Sequence, residues 1–193
     1  MKNIRSSLRQ NRGFTLVEVM IVVVILGIVV AIVAMNMAGN TTPARVRMIQ
    51  RVATTTTQNV NLISMACGTS TAVGSTPVPA SGKNLTDVLY GGIDNVAAAY
   101  QTCYQQASVR PMRDAVTWNG GSWQIESYPI TLTGGGTAKL GVQFDQVPDE
   151  VVLALVQKFS SNVTTLSSSD TTSDIVRYGA AAAGKRTVTL LIQ

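Results

Sequence analysis

Few side chains in this chain could do chemistry. It has no histidine and only two cysteines, Cys67 and Cys103. Without histidine there is no Ser-His-Asp or Cys-His pair and no zinc site built on imidazole. Two separated cysteines lack zinc-finger spacing. Gly134-Gly135-Gly136 lacks the strand–loop–helix setting and the lysine of a phosphate loop. Asp145, Asp149, Asp170 and Asp174 are the nearest candidates for calcium ligands, but helix capping and loop solvation explain them better. Neither catalysis nor a cofactor is expected. One group stands apart. Glu18 sits at the head of a run, Val19 to Met35, that contains no charged side chain. A charge at the centre of a bilayer costs roughly 2.5–3.5 kcal/mol on insertion scales, so Glu18 marks a functional site by default. In a low-dielectric setting it needs a cationic partner.

The segment that carries Glu18 must be a helix apolar on all sides, as in a membrane or at the centre of a bundle. At about 1.5 Å per residue, Phe14 to Ala38 covers about 36 Å, enough for a hydrocarbon core. Formal charge is 15 − 10 = +5, and four of the positives, Lys2, Arg5, Arg9 and Arg12, precede Phe14. Without residues 1–13 the balance is 11 − 10 = +1. The basicity is thus mostly a property of the leader and gives no reason to expect nucleic acid. The positive-inside rule keeps the leader cytoplasmic and sends the rest outward. A secretory signal would have a shorter apolar core and a cut after it. A plain anchor explains the length, but not Glu18 or the Gly13-Phe14 junction.

One long helix is expected from Phe14 to about Met65, weak in the middle. Gly27 is a soft point or a close-packing point. Gly39 to Pro43 is a second weak point, where Thr42 could cap a restarted helix with Pro43 at its first position. Beyond it Val46, Ile49, Ala53, Val60 and Ile63 fall on one face. Arg45, Arg47 and Arg51 read as a solvated or headgroup-facing collar, or as partners for acids on a neighbouring subunit. Thr54 to Thr57 is a poor helix former that tertiary packing must hold. In an outward-facing, oxidising compartment Cys67 and Cys103 favour a disulfide over two buried thiols. It would close a loop of about 37 residues, worth a few kcal/mol.

Gly68 to Gly82 reads as a loop. Residues 84–107 read as one or two helical turns and a short helix, where Asp94 could cap the segment Asn95 to Gln106. From Ala115 the period becomes two. Ala115–Trp118 and Trp123–Thr133 form a hairpin around Asn119-Gly120-Gly121-Ser122, then comes a strand from Lys139 to Phe144. Trp118 and Trp123 flank the turn, as a cross-strand pair or a glycan- or surface-binding pair. Val147 to Phe159 reads as a helix with Pro148, Asp149 and Glu150 at its start. Asn162 to Asp174 is a Ser/Thr loop, and Ile175–Tyr178 and Thr187–Ile192 are closing strands. The order predicts an α+β fold, an antiparallel head on a helical stem.

Arg12-Gly13-Phe14-Thr15-Leu16-Val17-Glu18 ahead of an apolar helix resembles the type IV pilin and pseudopilin family, over residues 1 to about 38. The resemblance implies that a membrane prepilin peptidase cuts between Gly13 and Phe14 and N-methylates Phe14. Gly13, with no side chain, leaves the backbone open to a peptidase. Glu18, one turn on from Phe14 and on the same face, would then meet its own new amino terminus or, in the family's proposed docking contact, that of the next subunit. Such a contact fixes register more than it adds stability, and repeated by a screw it builds an open filament. The implied domains are a cleaved leader (1–13), a membrane or filament-core helix (14–38), an amphipathic half-stem (39–66) and a pilin head (67–193), with the long helix packed on an antiparallel sheet. The implied route runs from a bacterial inner-membrane precursor, bathed in lipid with its head in the periplasm, to an extracellular homo-oligomeric pilus. An assembly platform and ATPase would be its other partners. The long head, the Val147-Pro148-Asp149-Glu150-Val151-Val152 helix after a strand, and the closing strands look most like the type IVb branch, conjugative thin pili included. One departure is that both cysteines precede Pro111, so packing alone is expected to hold the last ninety residues. A type II secretion pseudopilin, a minor pilin acting as tip adhesin or DNA-uptake component, and an anchored periplasmic enzyme are the rival readings.

Overall fold

A computed structural model describes residues 15–39, 41–160 and 162–192, with side chains 33–39 left out. The chain divides into two units, 1–41 and 42–193. Helix α1, Leu16–Gly39, lies in the first. Helix α2, Thr41–Cys67, lies in the second except for its first residue. The described residues of the single helix expected from Phe14 to about Met65 are helical on both sides of Asn40, which lies outside the described residues. Thr42 and Pro43 both lie inside α2, so Thr42 does not stand outside the helix as a cap.

Helix α2 buries one face, from Val46, Ile49, Val52 and Ala53 through Thr56, Thr57 and Asn59 to Val60 and Ile63. The threonine run stays helical because its polar groups are satisfied in the core. Thr56 Oγ1 and the Tyr90 hydroxyl lie 2.8 Å apart, and Thr57 Oγ1 donates to the Ala53 carbonyl at 3.1 Å. Burial raises the Tyr90 pKa well above the usual tyrosine value, which the Thr56 bond offsets in part. Asn59, fully buried, donates from Nδ2 to the Arg110 carbonyl and accepts the Arg110 N–H on Oδ1, at 2.9 and 3.0 Å. This two-way amide bond pins the 108–116 segment to the stem.

Helix α3, Leu85–Gly91, starts with a capping box between Asn84 and Asp87. The expected helix from Asn95 to Gln106 is instead two 3-10 turns, Ile93–Asn95 and Ala98–Tyr100, then a short helix α4, Gln101–Gln106. Val96 turns extended, bridges Pro79 and is buried. The Ala97 N–H goes to the Val78 carbonyl, so these bonds to the preceding loop compete successfully with the helical ladder.

Six antiparallel strands follow: β1 Thr117–Asn119, β2 Ser122–Ile125, β3 Tyr128–Gly134, β4 Leu140–Pro148, β5 Val176–Tyr178 and β6 Lys185–Ile192. Their order is β1-β2-β3-β4-β6-β5. Gly120 and Gly121, at φ +58 and +87, form the two-residue turn between β1 and β2. The expected strand Trp123–Thr133 is two strands, because Glu126 and Ser127 form a second tight turn with Glu126 at φ +52. Glu126 is held there from the stem. Its carboxylate pairs with Arg45 at 3.0 Å, so Arg45 is tied to its own head, whereas Arg47 and Arg51 are exposed. Gly135, at φ +82, backs directly onto the Thr71 carbonyl, where any Cβ would collide. The glycine turn thus docks the 68–82 loop, with Gly136 N–H donating to Thr71 Oγ1 at 2.9 Å.

Strand β4 continues four residues past the expected Phe144. A bulge between Phe144 and Val147, with Gln146 at φ +60, returns Val147 to the buried face. Helix α5, Asp149–Phe159, therefore begins two residues later than expected, after Pro148. Phe144, Val142, Leu190, Ile125, Val151 and Leu155 join the α2 face in one core.

The carboxyl-terminal half is not held by apolar packing alone. Arg186, only 8% exposed, bonds Asp149 at 2.8 Å and the carbonyls of Ser167, Ser168 and Gly179 at 2.8, 2.7 and 3.2 Å. Its guanidinium lies 5.4 Å from the Tyr178 ring centre. One side chain thus ties α5, the Ser/Thr loop and β5 to β6. Asp149 is 41% exposed and stays hydrated without its partner, so the loss in an Arg186→Ala variant falls on the three carbonyl bonds and the contact with the Tyr178 ring. The expected destabilisation is about 2–4 kcal/mol, a drop of ~5–15 °C in melting temperature. Arg186→Lys should recover less than half of it, lacking the planar fork. A thermal melt of the three proteins checks this, and an unchanged midpoint for the alanine variant would refute the hub.

Candidate assembly site

The first turn of α1 is built by Thr15 and Glu18. The Glu18 N–H donates to the Thr15 carbonyl at 3.0 Å and to Thr15 Oγ1 at 3.3 Å. Thr15 therefore caps the helix, in the Thr-x-x-Glu spacing of a capping box. That Thr-x-x-Glu signal is present in the sequence itself. Glu18 lies exposed in the turn and makes no ion pair among the described residues. A carboxylate there is favoured by the positive end of the helix dipole. Gly13 and Phe14, the expected cut and methylation residues, lie outside the described residues.

All described side chains of α1, Leu16 through Ile32, are exposed, with Leu16 at 77%. An apolar surface of this extent is not left to water and marks contact with lipid or protein. Among the described residues no helix is long and apolar enough to cross a membrane. The expected span over 14–38 extends at both ends beyond the residues of α1 whose side chains are described.

Cys67, the last residue of α2, is bonded to Cys103 in α4, with Cα atoms 5.1 Å apart. The bond fastens the 68–107 region to the stem. The four aspartates considered for calcium do separate jobs. Asp145 accepts bonds from Gln143 and Thr187, Asp149 pairs with Arg186, and Asp174 pairs with Lys139 at 3.4 Å. Asp170 accepts the N–H groups of Thr172 and Ser173, and these bonds lower its pKa. Among the described residues no three metal-ligating side chains converge.

Trp118 and Trp123 are opposite one another across β1 and β2, with ring centres 5.1 Å apart in an edge-to-face pair. Such a pair adds about 0.5–1.5 kcal/mol beyond its buried area. Trp123 also donates from Nε1 to Asp87 at 2.9 Å, a partner in α3 that sequence spacing does not reveal.

Residues 8–34 match the prokaryotic N-terminal methylation motif. The match spans the Gly13-Phe14 junction, Glu18 and most of α1, and leaves the head untouched. No curated protein and no solved structure matches the chain. The motif, together with a long amino-terminal helical stem and a six-stranded antiparallel head, supports a type IV pilin-like or pseudopilin precursor. The motif implies processing by a prepilin peptidase and a membrane-anchored precursor. It points to a structural protein rather than an enzyme.

Proposed function

We propose that this chain is a structural subunit of a type IV pilus, of the type IVb kind. The observation that carries the reading is α1 itself: an apolar helix exposed along its described length, with one carboxylate in its first turn, inside a methylation motif. Such a helix is stable in lipid before assembly and among copies of itself afterwards. In this reading residues 1–13 are removed and Phe14 is N-methylated. Residues 14–38 then pass from the inner membrane into the filament core, residues 39–66 join them to the head, and the head (67–193) forms the outer surface. An assembly platform and ATPase supply the work. The presence of only two cysteines, bonded to each other, suits a head exported to an oxidising compartment.

The test is mass spectrometry of sheared surface material, searched for a peptide that begins at N-methylated Phe14. Abundant mature chain in filaments is the expected result. Mature chain confined to the cell envelope would replace this reading with a pseudopilin or a rare minor subunit, and an intact amino terminus would overturn it. As a companion, Gly13→Val should block maturation, leaving the unprocessed form on a gel. Normal processing of that variant would move the cut site elsewhere.

A further inference from the structure

Both tryptophans of the chain border one cleft of about 350 Å³, walled on one side by β1–β3 and on the other by residues 82–87. We propose that this cleft binds a neutral pyranose sugar, with the ring's C–H face stacked on Trp118 and its hydroxyls bonded to Lys83, Asn84 and Asp87. The volume lies at the small end of the range of small-ligand sites, about 300–1,000 Å³. Trp118, on the edge strand β1, is 56% exposed, because its edge-to-face contact with Trp123 covers only part of the indole and leaves the rest free to stack on a ligand. An indole face is electron-rich and attracts the weakly positive C–H bonds on one side of a pyranose.

The polar wall is already in place. Asp87 Oδ2 accepts the Asn84 N–H at 3.0 Å, and Oδ1 accepts the Trp123 Nε1–H at 2.9 Å. Each carboxylate oxygen has a second lone pair to offer a hydroxyl. Asn84 Oδ1 is taken by the Asp87 N–H, while its amide N–H groups have no acceptor among the described residues. Lys83 is exposed and adds further donors. Vicinal hydroxyls, each both donor and acceptor, fit this mixture of donors and acceptors. One cation and one anion on the wall leave no net charge to favour an acidic ligand. The rigid Trp123–Asp87–Asn84 chain reduces the ordering that binding would otherwise require.

Because no other tryptophan is present, tryptophan fluorescence, excited selectively over the tyrosines, reports on this cleft alone. The full chain in a sugar-free zwitterionic detergent would be titrated with lactose, cellobiose, chitobiose and mannobiose. A saturable change with at least one of them, at a Kd between about 10 μM and 10 mM, is expected. Trp118→Ala, with Trp123 still reporting, should weaken that binding at least about tenfold, and Lys83→Ala, on an exposed loop, about threefold. No saturable change with any of the four, or equal affinity in both variants, would overturn the proposal. Tighter binding of sialyllactose than of lactose would overturn the choice of a neutral sugar.

Discussion

Replacing both Cys67 and Cys103 by serine should lower the stability of the head by about 3–4 kcal/mol, the chain-entropy value for a closed loop of this length. The melting temperature should fall by ~6–15 °C. The size follows from what the bond restrains. The cysteines are 36 residues apart, and much of the chain between them, from Gly68 to Gly82, is loop. Helix α4 has six residues and buries none of them fully. A helix that short has no stability of its own. Without the disulfide it keeps chiefly the Tyr104 hydroxyl bond to the Val88 carbonyl, at 3.2 Å. The damage should therefore be uneven. Amide exchange in residues 98–107 should rise most, while β4 and β6, at the centre of the sheet, should change least. Reduction of the unmodified protein with dithiothreitol should reproduce the shift. A loss below about 1 kcal/mol in both experiments would mean that packing, not the cross-link, holds this region.

What the sequence disclosed depended on how far the deciding contact lay along the chain. The apolar helix, the α2 face at Val46, Ile49, Ala53, Val60 and Ile63, and the paired tryptophans about Gly120-Gly121 are local patterns, and each was legible. The methylation motif was legible for a further reason: a peptidase reads it as a linear segment. Apart from the local Thr15 cap on Glu18, the larger misreadings turn on distant partners. Glu126-Ser127 carries no glycine or proline to announce a turn, and its carboxylate is engaged by Arg45, 81 residues away. Val96 leaves the helical path because it bridges Pro79. Arg186 reads as an ordinary basic residue at the start of a strand, yet it is buried among carbonyls supplied by two other parts of the chain, the loop at Ser167-Ser168 and Gly179. The sugar cleft was half legible. Its tryptophans stand five residues apart, but Asp87 precedes Trp123 by 36, and the fold alone brings them together.

Replacing Glu18 by alanine should cut the yield of surface filaments at least about tenfold, equivalent to 1.4 kcal/mol in assembly, while leaving cleavage at Gly13 largely intact. Two roles compete for this carboxylate. In the first it serves its own helix: it sits in the first turn, where it complements the dipole and offsets a positive amino terminus one turn away. In the second it meets the amino terminus of the next subunit in a water-poor filament core. The magnitudes separate them. An intrahelical effect is worth about 0.3–1 kcal/mol, much like the ~1 kcal/mol of the Thr15 cap. An unpaired charge in a dry core costs several kcal/mol per contact, and every subunit in the filament bears it. Thr15→Ala is the control, because it weakens the same turn without touching the charge. If Glu18 only supports its helix, both variants should lose filaments to a similar, small degree. If it docks on a neighbour, Thr15→Ala should assemble nearly normally and Glu18→Ala should not. Glu18→Gln, which keeps the size and loses the charge, should resemble the alanine variant. Sheared filaments compared with processed chain left in the membrane measure all three, and normal yield from Glu18→Ala would rule the docking contact out.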